Sequence, residues 1–214
     1  MTEHHAHTRH NLERKRLRDT GRSRIFGGAS PGTMSADDAA GMTAAVQTAL
    51  ALGYRKFAFL RGPGVASDVR RRAAAAAGLE LHGEHRMLVC ESTGSGFEAL
   101  AGRIVQDDRD LVLCFDDQRA LKLLSALNRM DVRVPEDIGI IGFDDIPFAA
   151  ISNPSLSTVA VPYERLGQLA CRMLMGQLSS GVPAAPVRLD VQIVLRGTTA
   201  PHRQALPDRG GMLL

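Results

Sequence analysis

The amino-acid sequence predicts a doubly wound α/β domain, a parallel β-sheet covered by helices on both faces. From residue 35 onward, short apolar runs alternate with segments of helical periodicity, as βαβ units require. The apolar runs are nearly continuous, which is typical of strands that are buried on both faces. Aliphatic side chains must fill the core, because aromatic residues make up only 4% of the 214 residues and tryptophan is absent.

Helical and strand periodicities follow one another along the chain. Met42, Ala45, Val46 and Ala49 recur at the spacing of one helix face, and the stripe stops at Gly53, which suits a helix C-cap. The predicted strands are KFAFL (56–60), RMLVC (86–90), LVLCF (111–115) and IGIIGF (138–143). A short helix is predicted at RRRAAAAAG (70–78). Two more helices are predicted from apolar stripes, the first formed by Phe97, Leu100, Ala101 and Ile104 and the second by Ala120, Leu123, Leu124 and Leu127.

Charge and cysteine usage limit the classes of protein. The formal net charge of +3 is too small to indicate nucleic-acid binding by the chain as a whole. Cys90, Cys114 and Cys171 are far apart and form no C-x-x-C motif, which favours reduced cysteines in a cytoplasmic protein. The N-terminus has no apolar signal region, and about 18 consecutive apolar residues occur nowhere. We therefore expect a protein that is neither exported nor inserted in a membrane.

The first 34 residues differ in composition from the rest of the chain. They carry four histidines and seven Arg or Lys residues and end in a Gly/Ser/Pro-rich linker. We expect a basic disordered segment at 1–34, the folded domain at 35–201 and a flexible tail at 202–214. Two other uses stay open for the first segment. The basic arm could contact nucleic acid, and His4, His5, His7 and His10 could hold a metal weakly.

Paired carboxylates follow two of the predicted strands. Asp116 and Asp117 follow LVLCF, and Asp144 and Asp145 follow IGIIGF. Ligands of open parallel sheets bind beyond the carboxyl ends of the strands. One carboxylate there can accept hydrogen bonds from two adjacent hydroxyl groups, so the pairs indicate a polyhydroxylated ligand. Helix or turn capping remains open for Asp117 and Asp145, and a Mg²⁺ site remains open for the group, although no D-x-D or Walker-type motif accompanies it.

Four segments match the pattern of a known family in order and spacing: AGMTAAVQTALALGYRKFAFLRGP, VPEDIGIIGFDD, STVAVPYERLGQLA and VRLDVQIVLRGTTAP. Together they resemble the effector-binding core of the LacI/GalR (lactose-repressor) family of bacterial transcription regulators. The resemblance runs from about Asp37 to Pro201. It implies a periplasmic-binding-protein-like fold of type I, of which this chain has essentially one lobe. Residues 161–179 belong to the other lobe in the family.

The resemblance also implies ligand contacts at particular positions. Asp116 stands at the Asn or Asp of the family's ND pair, and Asp144 stands at the first Asp of GFDD, which accepts hydrogen bonds from the ligand in sugar-responsive members. Arg72 matches the effector-binding arginine, and Arg70 is the nearest alternative. The predicted ligand-binding residues are therefore Asp116, Asp144, Arg72, Tyr163 and Phe143.

The chain departs from the family pattern at three places. The helix after Arg72 is shorter than the family norm and lacks its GF pair. Val161 stands in a cleft-lining segment where the family often has Gln, and valine cannot hydrogen-bond a sugar. The helix-turn-helix that begins the family's proteins is not recognisable in residues 1–34.

The sequence therefore predicts a LacI-family transcription regulator, not an enzyme, whose retained part senses a sugar or related metabolite. We expect operator DNA to be bound only through a helix-turn-helix not found in this chain, and full-length relatives to be homodimers. No cofactor, metal or membrane is expected. The alternatives are a stand-alone or periplasmic-type sugar-binding protein, a non-functional fragment of a regulator, and an enzyme that uses the acidic strand ends with a metal.

Overall fold

The computed structural model describes residues 31–82, 87–91 and 96–201. These residues divide into two compact units. The larger unit contains the described residues of 37–162 and 190–201. The smaller unit contains residues 31–36 and 163–189. The basic segment with its histidines (up to residue 30) and the tail from residue 202 lie outside the described residues, so the expectations about them stay predictions.

Eight strands and six helices occur within the described residues. The strands are β1 (Met34–Ala36), β2 (Phe57–Arg61), β3 (Leu88–Glu91), β4 (Leu111–Cys114), β5 (Gly139–Asp144), β6 (Ser157–Ala160), β7 (Val187–Leu189) and β8 (Gln192–Val194). The helices are α1 (Asp38–Ala51), α2 (Gly64–His82), α3 (Gly96–Gln106), α4 (Asp117–Arg129), α5 (Pro147–Ile151) and α6 (Tyr163–Ser180).

The larger unit is built on a six-stranded sheet with the order β3-β2-β4-β5-β6-β8. All pairings are parallel except that of β8, which runs antiparallel to β6. Because β3 lies on one side of β2 and β4 on the other, the direction of winding reverses between β2 and β4. The doubly wound α/β prediction is therefore confirmed, and the reversal marks the place where such sheets bind ligands.

A cluster of aliphatic side chains fills the space between the sheet and helices α3 and α4. Leu123 and Leu127 of α4 are fully buried in it, as are Val112 of β4 and Ile140 of β5. Full burial of such side chains stabilises a fold by roughly 1.5–3 kcal/mol each. This packing fixes α4 on the sheet and thereby fixes the two aspartates, Asp116 and Asp117, at its first turn.

Helix α2 is longer than the short helix predicted at 70–78, since it spans Gly64–His82. Its buried residues Ala66, Arg70, Ala74 and Ala77 recur at helical spacing, and α2 packs against α1. An arginine stands in the middle of this otherwise apolar stripe. The apolar pattern therefore revealed only the middle of the helix, residues 70–78.

The other predicted elements of the larger unit are confirmed, with strand ends shifted by one or two residues. The stripe Met42, Ala45, Val46 and Ala49 is buried on α1. Gly53 follows the α1 C-cap at φ 100°, a conformation that glycine adopts more easily than other residues. The buried faces of α3 and α4 are likewise those expected from their stripes.

In the smaller unit, β1 and β7 form a parallel two-stranded sheet, and α6 packs on β1. No residue of α6 is buried. Leu166, Leu169 and Met173 are half-buried, whereas Met175 and Leu178 are 63% and 70% exposed. The apolar side of α6 is thus largely exposed. Neither α6 nor another helix in the described part of the chain is long and apolar enough to span a membrane.

Candidate functional site

Side chains with charge or aromatic character meet at the carboxyl ends of β4 and β5, beside the reversal of winding. We call this set the strand-end site, and it consists of Arg70, Phe115, Asp116, Phe143 and Asp144. Three of the five predicted ligand-binding residues belong to it. Arg70, the alternative to Arg72, lies at its centre.

Arg70 enters the site from α2 with only 2% of its side chain exposed. Its Nε and Nη2 donate hydrogen bonds to Oδ1 of Asp38 at 3.0 and 2.7 Å, and its Nη1 donates to the Phe115 carbonyl at 2.5 Å. Nη2 also lies 3.7 Å from Oδ1 of Asp144. A buried guanidinium requires such neutralisation, because an unpaired charge in the interior is very costly.

Two aromatic rings flank the guanidinium. Cζ of Arg70 lies 3.5 Å from the centroid of the Phe143 ring and 4.9 Å from that of Phe115. Arg119 approaches the Phe115 ring at 5.4 Å. A side chain on Gly62 would collide with the Phe115 ring, since a Cβ atom there would lie 1.9 Å from it. The absence of a side chain at Gly62 therefore leaves room for the Phe115 ring beside Arg70.

The chain leaves β5 through a turn with an unusual backbone. Asp144 and Asp145 have φ values of 113° and 55°, a region that residues other than glycine seldom occupy. Such conformations cost of order 1–3 kcal/mol each and persist where the surroundings hold them. The Asp144 side chain, at the end of β5, remains 20% exposed. The turn thus directs a partly exposed carboxylate next to Arg70.

Asp116 is the N-cap of α4, a role that the sequence suggested for its neighbour. Its Oδ1 accepts a hydrogen bond from the Arg119 backbone N–H at 2.8 Å, and its carboxylate forms an ion pair with the Arg119 guanidinium. Its side chain is 14% exposed. The capping interpretation of Asp117 is therefore wrong, and Asp116 combines the cap with a place in the strand-end site.

Asp117 points into the protein instead. Its side chain is fully buried and accepts hydrogen bonds from Oγ1 of Thr158 at 2.6 Å and from the Ile146 N–H at 2.9 Å. Burial raises the pKa of this carboxyl group to about 6; the two hydrogen bonds oppose that rise, and the charges of Asp144 and Asp145 add to it.

Asp145 forms an ion pair and does not cap the helix that follows. Its Oδ1 lies 2.8 Å from Nη2 of Arg196, and Arg196 donates a further hydrogen bond to the Leu156 carbonyl at 2.9 Å. The N-cap of α5 is Ile146, and it receives no side-chain cap. The capping interpretation of Asp145 is therefore wrong as well.

The remaining predicted contacts lie elsewhere. Arg72 has an exposed side chain on α2, because it stands two residues, or about 200°, around the helix from buried Arg70. Val161 is buried in the larger unit. Tyr163 begins α6 in the smaller unit and is 51% exposed.

Sequence reasoning missed the partners that neutralise the site. Asp38 stands in the first turn of α1, and Arg196 follows β8, far from the motifs that carried the interpretation. The DD pair at 37–38 was visible. Its pairing with Arg70 depends on the packing of α1 against α2, which no local pattern encodes.

Other features of the described residues add little to this site. No group of three or more His, Cys, Asp or Glu side chains is placed to hold a metal ion there. A shallow cavity of about 360 Å³ lies outside the site, between α4 and the segment after α5, and is lined by Leu121, Leu124, Ser125, Asn128, Arg129, Ser152 and Asn153.

Comparisons with known proteins agree with this architecture. The model of the periplasmic binding protein-like domain matches residues 46–199. A LacI family transcriptional regulator from Arthrobacter sp. FB24, solved in complex with lactose, aligns with a TM-score of 0.69 and 30% identity over 80% of this chain and 68% of that one. The chain belongs to the LacI family of transcriptional regulators. It carries the family's effector-binding domain.

Further relatives fit this assignment. The HTH-type transcriptional regulator MalR of Streptomyces coelicolor is 32% identical over 178 residues, which are 78% of this chain and 52% of MalR. A LacI family regulator from Enterococcus faecium, solved with bound ribose, shares the fold with a TM-score of 0.74 at 24% identity, covering 83% of this chain and 68% of that one. The chain thus spans about half the length of the curated LacI-family relative MalR.

Proposed function

We propose that this chain is the effector-sensing part of a LacI-family transcription regulator and that its effector is a sugar or a related polyhydroxylated metabolite. Family membership supports the regulatory role, and the lactose-bound relative supports the class of ligand. The matched relatives are regulators, which supports a non-enzymatic function.

The observation that carries the proposal is the position of Asp144 beside Arg70. The two side chains approach to 3.7 Å at the carboxyl end of β5, and Asp144 is partly exposed there. A carboxylate can accept hydrogen bonds from two vicinal hydroxyl groups. We assign Asp144 this role and Asp116 a second contact. The rings of Phe143 and Phe115 contact the Arg70 guanidinium and so hold it beside Asp144.

The arginine of the site is Arg70 in this proposal, in place of Arg72. Arg70 lies within 4 Å of Asp144 and is almost completely buried, whereas the side chain of Arg72 is exposed. The bonds to Asp38 and to the Phe115 carbonyl use three of its five N–H groups. The positive charge of Arg70 would hold the Asp144 carboxylate in place, and its other N–H groups would donate hydrogen bonds to a bound ligand.

In full-length relatives, regulation would follow from a shift between two arrangements of the protein. An effector that binds one arrangement more tightly increases its population, and the spacing of two DNA-reading heads changes with it. We propose that operator DNA is bound through a helix-turn-helix, as the name of the relative MalR indicates for that protein. The site of action would be the cytoplasm, where the operator lies.

We further propose a homodimer as the working state. Phe148 and Ile151 of α5 support it, because they stand three residues apart on one short helix and are 65% and 75% exposed. Large exposed apolar side chains that lie close together are typical of protein interfaces. Two-fold symmetric dimers are the commonest closed assemblies of soluble proteins.

Binding of sugars to the purified chain tests the proposed function. Thermal shift and calorimetry with a panel that includes lactose and ribose should reveal at least one saturable ligand. Asp144→Ala should abolish the response, because it removes the hydroxyl acceptor. Asp107→Ala should retain it, since Asp107 is exposed at the far end of α3. If no sugar binds the unmodified chain, or if Asp144→Ala binds equally well, the proposal is wrong.

A further inference from the structure

Asp117 lies behind the strand-end site and joins α4 to strand β6 and to the segment that follows β5. Its carboxylate accepts hydrogen bonds from Thr158 on β6 and from Ile146 after β5, at 2.6 and 2.9 Å. We propose that Asp117 is a positioning residue, which fixes the direction in which Asp144 presents its carboxylate to the effector. The inference rests on the proposed function, because it deepens the account of that same site.

The turn that carries Asp144 needs an anchor. Asp144 and Asp145 both have positive φ values, and such a backbone persists only where its surroundings hold it. Ile146, the next residue, is the N-cap of α5, and its side chain makes no capping hydrogen bond to that helix. Its N–H is instead held by Asp117, 29 positions earlier in the chain. Asp117 therefore fastens the turn directly after the two strained residues.

The sequence of β5 makes room for this carboxylate. A Cβ atom at Gly142 would lie 2.1 Å from Oδ1 of Asp117, so only glycine allows the carboxylate to approach the strand. Gly142 stands two residues before Asp144, on the same strand. The strand that carries Asp144 thus has a glycine at the position where Asp117 packs against it.

Asp117 and the carboxylates of the turn also interact electrostatically. Its pKa is raised to about 6 by burial, with Asp144 and Asp145 contributing in the same direction. The hydrogen bond from Thr158 stabilises the charged form and lowers the pKa. The titratable and charged groups around it are Asp144 and Asp145 in the turn, Arg196 paired with Asp145, Asp116 and Arg119 at the start of α4, and Cys114 on β4.

Proton titration followed by ¹H–¹⁵N NMR of the full chain tests the positioning role without any effector. The amide signals of Asp144, Asp145 and Ile146 should shift together with a midpoint near pH 6. Thr158→Val should move this midpoint upward, because it removes a hydrogen bond to the charged form. Asp117→Asn should abolish the transition at these three amides, and Asp107→Asn, at the far end of α3, should leave it intact.

Sugar binding provides the second arm, with the sugar panel that includes lactose and ribose as the probe. Asp117→Ala should weaken binding by about 10- to 100-fold, since it releases the turn and displaces Asp144. Asp117→Asn should restore most of the affinity, because its amide can still accept the hydrogen bond from Ile146.

The two arms separate the failure of this inference from that of the proposed function. A transition that survives in Asp117→Asn, or an affinity for the bound sugar that is unchanged in Asp117→Ala, overturns the positioning role. If no sugar of the panel binds the unmodified chain while the titration behaves as expected, the proposed function fails, and Asp117 holds the turn without contributing to sugar binding.

Discussion

Arg70 and Phe143 form a stacked pair in the protein interior, with 3.5 Å between the guanidinium Cζ and the ring centroid. Phe143 is fully buried and Arg70 is 2% exposed. Cation–π contacts are worth about 2 kcal/mol when they are desolvated in this way. Since Asp38 neutralises the guanidinium from α1, the pair ties α1 and α2 to the end of β5. Helices α1 and α2 are thereby joined to the strand-end site through Asp38 and Arg70.

Arg70→Ala should destabilise the chain strongly. The substitution leaves the Asp38 carboxylate without its guanidinium partner and removes the cation from the Phe143 ring. Loss of one partner of a buried ion pair costs about 3–5 kcal/mol. Urea unfolding followed by circular dichroism should show a loss of this size, and Arg70→Lys should recover only part of it, because lysine lacks the planar fork.

Arg72→Ala is the matched control for that experiment. Arg72 lies on the same helix, but its side chain is exposed. Exposed surface substitutions usually change the unfolding free energy by less than about 0.5 kcal/mol. Equal losses for the two variants would show that the buried pair contributes nothing beyond the helix itself.

Gly142→Ala should damage the site through Asp117. The added Cβ would lie 2.1 Å from Oδ1 of Asp117 and would force the carboxylate away from Thr158 and Ile146. Overpacking of this kind costs about 1–3 kcal/mol. Gly78→Ala is the control, since nothing lies within 4 Å of a Cβ at Gly78, inside α2. Replacing a helical glycine by alanine stabilises by roughly 0.5–1 kcal/mol, so the melting temperatures should move in opposite directions.

The fold could be predicted from the sequence because its signals are local. Apolar runs predicted the four strands β2 to β5, helical stripes predicted α1, α3, α4 and part of α2, and strand-end geometry placed the aspartate pairs at one edge. The short strands β1, β6, β7 and β8 were not predicted. Asp116 and Asp117 show where local signals end. Which aspartate caps α4 and which turns inward depends on Gly142, Thr158 and Ile146, residues brought there by the sheet. In α2, the predicted helix began only at Arg70, because the buried polar residues Ser67 and Arg70 leave no apolar stripe over the first turns.

Substitution of the exposed apolar residues on α5 tests the proposed dimer. Phe148→Glu and Ile151→Glu should each shift the chain toward the monomer in sedimentation velocity, since a charge would have to be buried in the interface. Val65→Glu is the control because Val65, at the start of α2, is exposed to a similar extent, 62%. A sedimentation coefficient that none of the three changes would remove this face as the dimer interface.

Asp117 should give the stability of the chain a distinctive dependence on pH. Burial raises its pKa in the folded protein to about 6 from an ordinary value of 3.8. Between these values the folded chain binds more protons than the unfolded chain, so the free energy of unfolding falls as the pH rises through the window. This contribution is complete below about pH 3.8 and lost above about pH 6.

Comparison with Asp117→Asn isolates the effect from the other carboxylates. Hydrogen bonds and ion pairs lower the pKa of Glu98, Asp108 and Asp137, so these groups change stability in the opposite sense with pH in both proteins. The difference in unfolding free energy between the unmodified chain and the variant should fall by about 2 kcal/mol between pH 4 and pH 7, out of about 3 kcal/mol over the whole pH window, since one pKa unit corresponds to about 1.4 kcal/mol. A difference that stays constant across a urea-unfolding series would mean that Asp117 keeps an ordinary pKa, and its burial would then have to be relieved by water reaching the carboxylate.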